Sequence, residues 1–178
     1  MTRAWTGVLA AAGVLLAGAA FAADTPEVLG TFGEWTAFAE GSDAAKLCYA
    51  ASAPIKKEGK YTSRGDTAVL VTHNLGDGSF DVVSVVAGYD YQPNEDVLAQ
   101  VDTKKYTMFS KGDRAWNAEN TSDKAMVGDM KRGNNLLVVG TSSRGTRTTD
   151  TYSLIGFTKA YQAISKACPR TKTATKKK

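Results

Sequence analysis

The stretch that decides the fold is Ala68-Val69-Leu70-Val71-Thr72-His73-Asn74-Leu75-Gly76-Asp77-Gly78-Ser79-Phe80-Asp81-Val82-Val83-Ser84-Val85-Val86-Ala87. Two runs rich in β-branched residues, 68–72 and 80–87, flank a cluster of Asn, Gly, Asp and Ser at 74–79. Valine packs well on a pleated strand and loses side-chain freedom in a helix, and the Gly-rich segment suits a reversal. The stretch therefore predicts a β-hairpin, with an antiparallel pair as the seed of the domain.

Working outward, the same signals recur. A second hairpin is predicted over Val97–Val101 and Tyr106–Phe109, turning at Asp102-Thr103-Lys104, and Arg114-Ala115-Trp116 begins a short strand. A third joins Leu136–Val139, extended through Thr141 and Ser142, to Thr148–Ile155 across Ser143–Thr146. On its return strand Thr149, Thr151 and Ser153 face one way, and Asp150, Tyr152 and Leu154 the other. Upstream, Phe32–Phe38 carries aromatics at 32, 35 and 38, and Lys46–Ser52 reads as a strand with Cys48 opposite Leu47, Tyr49 and Ala51. Residues 56–66 read as a charged loop.

Helical period appears twice. Met126, Val127 and Met130 share a face within Asp123–Arg132. Phe157, Tyr161, Ile164 and Cys168 share one around Thr158–Ala167, which Pro169 ends. The fold expected is mainly β: a single antiparallel, sandwich-like domain of eight or more strands with two short peripheral helices, one of them C-terminal.

The ends of the chain differ from this domain. Residues 1–23 carry Arg3, an uncharged apolar run and Ala20-Phe21-Ala22, the layout of a secretory signal peptide. The domain is expected over 24–169. Residues 170–178 form a basic tail with nothing to pack, expected to be disordered: Arg170, Lys172, Lys176, Lys177 and Lys178. The chain has 178 residues and a formal charge of +4. Of its 22 basic residues one lies in the leader and five in the tail, so 16 remain in the domain against 18 acidic ones, a net −2. Nucleic acid is excluded as a partner on that distribution. The tail instead suggests attraction to an anionic membrane surface. Cys48 and Cys168 are the only cysteines, and an oxidising compartment favours a disulfide between them.

Catalytic patterns are weak. His73 is the only histidine; Asp77 and Ser79 lie in the same tight turn and seldom reach both ring nitrogens. Gly140–Gly145 misses the nucleophile elbow by one residue. No metal-binding or cofactor motif is present, so no catalytic residue, metal or cofactor is assigned. The most unusual segment is 143–152, with two arginines, a row of threonines and an aspartate. It suggests a polar recognition patch of Arg144, Arg147 and Asp150 with Arg64 and Asp66. Its structural alternative is an ion pair of Arg144 or Arg147 with Asp150 or Asp66. Arg64-Gly65-Asp66 also spells an integrin-attachment tripeptide, which functions only when displayed at a loop tip.

The chain carries Phe32-Gly33-Glu34-Trp35, Cys48-Tyr49, Phe80-Asp81, Ser84-Val85 and Gly88-Tyr89 in order. Then follow Thr141–Thr146, Thr149–Leu154, Gly156-Phe157, Ala163-Ile164 and Cys168. Together these resemble the invasion-associated locus B (IalB) family of alphaproteobacterial envelope proteins, with Glu34 where the family often has Asp. The resemblance implies a periplasmic or outer-membrane-associated protein, or a secreted one, with no family-wide catalytic residue. It also implies a link to host-cell invasion for founding members. The reading is a non-enzymatic envelope protein that meets an envelope protein, a glycan or a host surface component through a polar face. The alternatives are a periplasmic small-ligand binder or hydrolase, and a chaperone-like role through an exposed sheet edge or apolar groove.

Overall fold

A computed structural model describes residues 25–170. The leader and tail residues Lys172, Lys176, Lys177 and Lys178 lie outside the described residues. Strands alternate buried and exposed positions along most of their length, as a half-buried sheet requires. They are β1 (Glu27–Phe32), β2 (Trp35–Glu40), β3 (Leu47–Ser52), β4 (Lys56–Gly59), β5 (Ala68–Asn74) and β6 (Ser79–Val86). Then come β7 (Val97–Val101), β8 (Lys104–Lys111), β9 (Arg114–Asn117), β10 (Asn135–Thr141) and β11 (Arg147–Ser153). Helix α1 spans Asn120–Met130 and α2 spans Phe157–Ala167.

The fold is mainly β and antiparallel, with one helix near the C-terminus. All described strands join one eleven-stranded sheet in the order β1-β2-β3-β5-β6-β9-β8-β7-β10-β11-β4. The layers are therefore two parts of a single hydrogen-bonded sheet, because the ladder from β6 through β9, β8, β7 and β10 is unbroken. The sheet folds across itself: Trp35 Nε1 of β2 donates to the Ser153 carbonyl of β11 at 2.9 Å. Val71 from one half and Leu136 and Val138 from the other lie in the same core.

The deciding hairpin is β5–β6, paired Val69 to Val85 and Val71 to Val83, with all four valines buried. Strand β3 adds to β5 so that Cys48 pairs with His73. Cys48 and Cys168 are bonded, closing a separation of 120 residues. Phe157 packs on Trp35 with ring centroids 4.7 Å apart, laying α2 over β1, β2 and β3. Ala37, Ala39 and Ala50 are buried there, and their small side chains admit the helix. Gly156 opens α2 at φ 95°, and a Cβ there would lie 1.8 Å from the Phe32 carbonyl oxygen, so only glycine fits.

Three expectations shift. Residues 56–59 are not loop: β4 pairs with the free edge of β11, Lys57 opposite Asp150. Helix α1 begins one turn early because the Ser122 and Asp123 amides donate to the Glu119 carbonyl. Asp123 is buried and bonds the Val83 amide and Asn117, closing the part of β6 that β9 does not reach. The tail begins later than Arg170: that guanidinium bonds Asp81 and lies 4.8 Å over the Phe80 ring. A buried carboxylate held this way draws the cation onto the domain. Among the described residues no helix is long and apolar enough to cross a membrane.

Candidate functional site

At the end of the sheet formed by β10, β11 and β4, three connections enclose a cleft of about 620 Å³. They are the β4–β5 loop (60–65), the segment after β6 (88–90) and the β10–β11 turn (142–146). Arg64, one of the cleft's lining residues, is held by a buried ion pair. The Arg64 guanidinium meets the Asp150 carboxylate through two bonds of 2.7 and 2.5 Å, with both side chains 3% exposed. Arg64 Nε also donates to the Ala87 carbonyl at 2.6 Å, and the guanidinium lies 4.9 Å from the Tyr89 ring centroid. One residue thus ties the β4–β5 loop to β6 and to β11. Burial opposes the Arg64 charge, but the bonds and field of Asp150 more than offset it and hold its pKa above the ordinary value.

The braces continue outward. Tyr89 Oη bonds Thr148 Oγ1 at 2.7 Å. The Gly65 amide donates to the Gly88 carbonyl at 2.9 Å, and the Ser143 amide to the Asp90 carbonyl at 2.7 Å. Gly88 has φ 70°, and a Cβ there would stand 2.4 Å from the Gly65 carbonyl oxygen, so the two loops touch only because residue 88 is glycine. Tyr91 and Tyr152 fill the interior behind the pair, and burial pushes both phenols well above their ordinary pKa. They stay neutral.

The cleft wall is built mainly from hydroxyl-bearing and charged residues. It includes Tyr61 and the hydroxyls of Thr62, Ser63, Ser142, Ser143 and Thr146, and no aliphatic residue. Lys60, Arg144 and Asp90 carry its exposed charges. Among the described residues neither Lys60 nor Arg144 forms an ion pair.

The residues singled out in sequence separate into three groups. Arg64 and Arg144 line the cleft, and Asp150 pairs with Arg64 without lining it. Arg147 is exposed and lines a different hollow beside Glu95 and Asp96. Asp66 is exposed and is not among the cleft's lining residues. Asp150 takes Arg64 as its partner rather than Arg144 or Arg147. That burial also removes Arg64 from display, so Arg64-Gly65-Asp66 cannot act as an attachment tripeptide. The cleft's Lys60, Tyr61 and Tyr89 were missed, since nothing in the sequence shows that three distant loops converge.

A second cluster surrounds His73, which is 1% exposed. Its Nε2 lies 3.1 Å from Ser165 Oγ, and its Nδ1 lies 4.0 Å from an Asp81 carboxylate oxygen. That constellation resembles a catalytic triad, but the hydrogen bonds run the wrong way. The Asp81 amide donates to Nδ1 at 3.2 Å, which leaves the ring proton on Nε2, pointing at the serine. A general base needs a bare nitrogen there. Burial lowers the His73 pKa, so the ring is neutral and structural near pH 7. The turn residues Asp77 and Ser79 bond one another and do not bond His73. Among the described residues no cluster of three or more His, Cys, Asp or Glu could hold a metal.

The chain compares with known proteins as follows. The family model for the invasion associated locus B (IalB) protein matches residues 35–165. Among solved structures, invasion associated protein b from Bartonella henselae superposes with a TM-score of 0.56. The two are 19% identical, and the match covers 80% of this chain and 97% of that one. At that identity the likeness establishes the fold alone. No curated protein matches the chain. The family match spans β2 to β11, helix α1, most of α2 and every residue lining the cleft, and by it the chain belongs to the invasion associated locus B family.

Proposed function

We propose that the protein is a non-enzymatic, envelope-associated binding protein whose cleft beside Arg64 and Asp150 receives part of an envelope or host-surface component. Family membership supports the envelope setting and a role other than catalysis. The observation that carries the binding reading is the cleft itself. Its loops are tied by the buried Arg64–Asp150 ion pair and by the Gly65–Gly88 and Ser143–Asp90 backbone bonds, yet among the described residues Lys60 and Arg144 on its wall form no ion pair. A rigid frame around unsatisfied charged groups is what a recognition site needs, since little ordering cost remains at binding. The setting is the periplasm, the outer membrane or the exterior, reached through the leader 1–23. The tail lysines, Lys172, Lys176, Lys177 and Lys178, add attraction to an anionic surface.

The two contributions separate experimentally. Purified mature protein is mixed with envelope fractions and sedimented at low and high salt. Wild type is expected to sediment, and Lys60→Glu with Arg144→Glu to stay largely in solution. Truncation after Arg170 keeps the fold intact and should weaken retention only at low salt. Equal sedimentation of wild type and the charge-reversed cleft would remove the cleft from the account.

A further inference from the structure

We infer that the ligand of this cleft is an acidic saccharide, a sugar unit bearing a carboxylate or a phosphate. The inference rests on the binding reading above and deepens it by naming the ligand chemistry. The first argument is the absence of aliphatic side chains from the wall. Pockets for apolar ligands and anchor pockets for protein partners are lined mostly by hydrophobic groups. This one presents hydroxyls from both the β4–β5 loop and the β10–β11 turn. A hydroxyl both donates and accepts, as sugar hydroxyls do, so the two sets match without strict polarity.

The second argument is charge. Two cations, Lys60 and Arg144, stand on the wall against one carboxylate, Asp90. The Arg64 charge is neutralised by Asp150 and contributes none. The surplus is one positive charge, and a guanidinium suits carboxylate or phosphate oxygens. Asp90, an acceptor only, suits a sugar hydroxyl. Third, Tyr61 is 36% exposed in the cleft and carries the Arg64 guanidinium over its ring at 5.6 Å. A ring held this way offers apolar area at low entropic cost, which the carbon-bound hydrogens of a sugar ring can cover.

An extended peptide fits less well. It would add to the nearest free edge, β4, which is four residues long and reads Lys56-Lys57-Glu58-Gly59. Short, charged edges resist strand addition.

The experiment titrates four probes into the mature protein by calorimetry: a galacturonic acid tetramer, its methyl ester, mannose 6-phosphate and mannose. At least one acidic probe is expected to bind tenfold or more tightly than its neutral counterpart, and which one does so identifies the anion. That preference should vanish in Lys60→Gln with Arg144→Gln and persist in Arg147→Gln. Tyr61→Leu should weaken acidic and neutral probes alike. Equal binding of acid and ester together with equal binding of mannose 6-phosphate and mannose would overturn the anionic assignment and leave a neutral glycan in the cleft. Binding of no saccharide, with envelope sedimentation still dependent on the cleft, would overturn the saccharide and keep the binding reading. Loss of both would remove the two together.

Discussion

The two ends of the sheet are built from different materials. Where β1, β2, β3 and β5 lie under α2, the interior is mainly Trp35 against Phe157, a floor of small residues and the Cys48–Cys168 bond, with His73 and Asp81 as its buried polar groups. Where β10, β11 and β4 meet the three loops there is no helix, and the interior holds Arg64, Asp150, Thr148 and three tyrosines. The first end gains stability from apolar burial and a covalent tie. The second spends much of its interior on groups that cost free energy to desolvate and are repaid only through mutual bonds. Burial that expensive fixes positions more than it stabilises. The polar end is accordingly the one that carries a cleft.

Denaturant unfolding can break this comparison. Asp150→Ala leaves the Arg64 charge buried and unpaired, and should destabilise by about 3–5 kcal/mol. Trp35→Ala should cost a similar ~3–5 kcal/mol through the cavity beside Phe157. The contrast is in rescue. Replacing Arg64 by Met together with Asp150 by Leu should recover most of the lost stability while disordering the cleft loops. No such partner change should rescue Trp35→Ala. If the paired apolar replacement stays as unstable as Asp150→Ala, the polar end is contributing stability of its own and the contrast fails.

Smaller effects sharpen the picture of the apolar end. Replacing both Cys48 and Cys168 by serine should cost about 2–4 kcal/mol, less than the loop length alone suggests because α2 still packs. Melting with and without reductant reads the same difference in the wild type. His73 adds a pH signature. Its pKa is lowered in the folded state, chiefly by burial, so the unfolded chain binds the proton more readily. Stability from this group is complete above the ordinary value of 6.5 and declines as pH falls below it. His73→Gln should flatten the part of the profile just below pH 6.5, with the loss at lower pH left to carboxylates such as Asp77 and Asp129, whose pKa values are lowered. An unchanged slope would mean that His73 is not neutral in the folded state. The smallest effect on stability belongs to Arg144→Gln, within about 0.5 kcal/mol of wild type because the residue is exposed.

How much of this was legible depended on how local the cause was. The β5–β6 hairpin reads directly from its β-branched runs and Gly-rich turn, and the β10–β11 hairpin and the shared face of Asp150, Tyr152 and Leu154 from alternation, whereas the burial of that face comes from the structure. Cys168 pointed inward because it continued the 157-161-164 stripe. Strand β4 was illegible because Lys56–Gly59 has no apolar pattern; it exists only because β11 offers an unpaired edge. The partner of Asp150 is neither of the arginines close to it in sequence but Arg64, 86 residues away. An aspartate on the buried face of a strand did signal that some cation must be drawn inward. Which one could not be read, since the β4–β5 loop that supplies Arg64 is positioned by the sheet rather than by its own residues. Arg170 was read as tail for the same reason: its hold on Asp81 is a contact across 89 residues.

The claim that the polar end is the binding end is tested most directly by site-specific photo-crosslinking in intact cells. One crosslinker replaces Ser143 at the cleft and another replaces Thr36 on the outer face of β2, over the apolar end. The account predicts an adduct with an envelope or surface component from position 143, none from position 36, and loss of that adduct when Lys60 and Arg144 are changed to Gln. Adducts from position 36 alone, or equal yields from both, would contradict it.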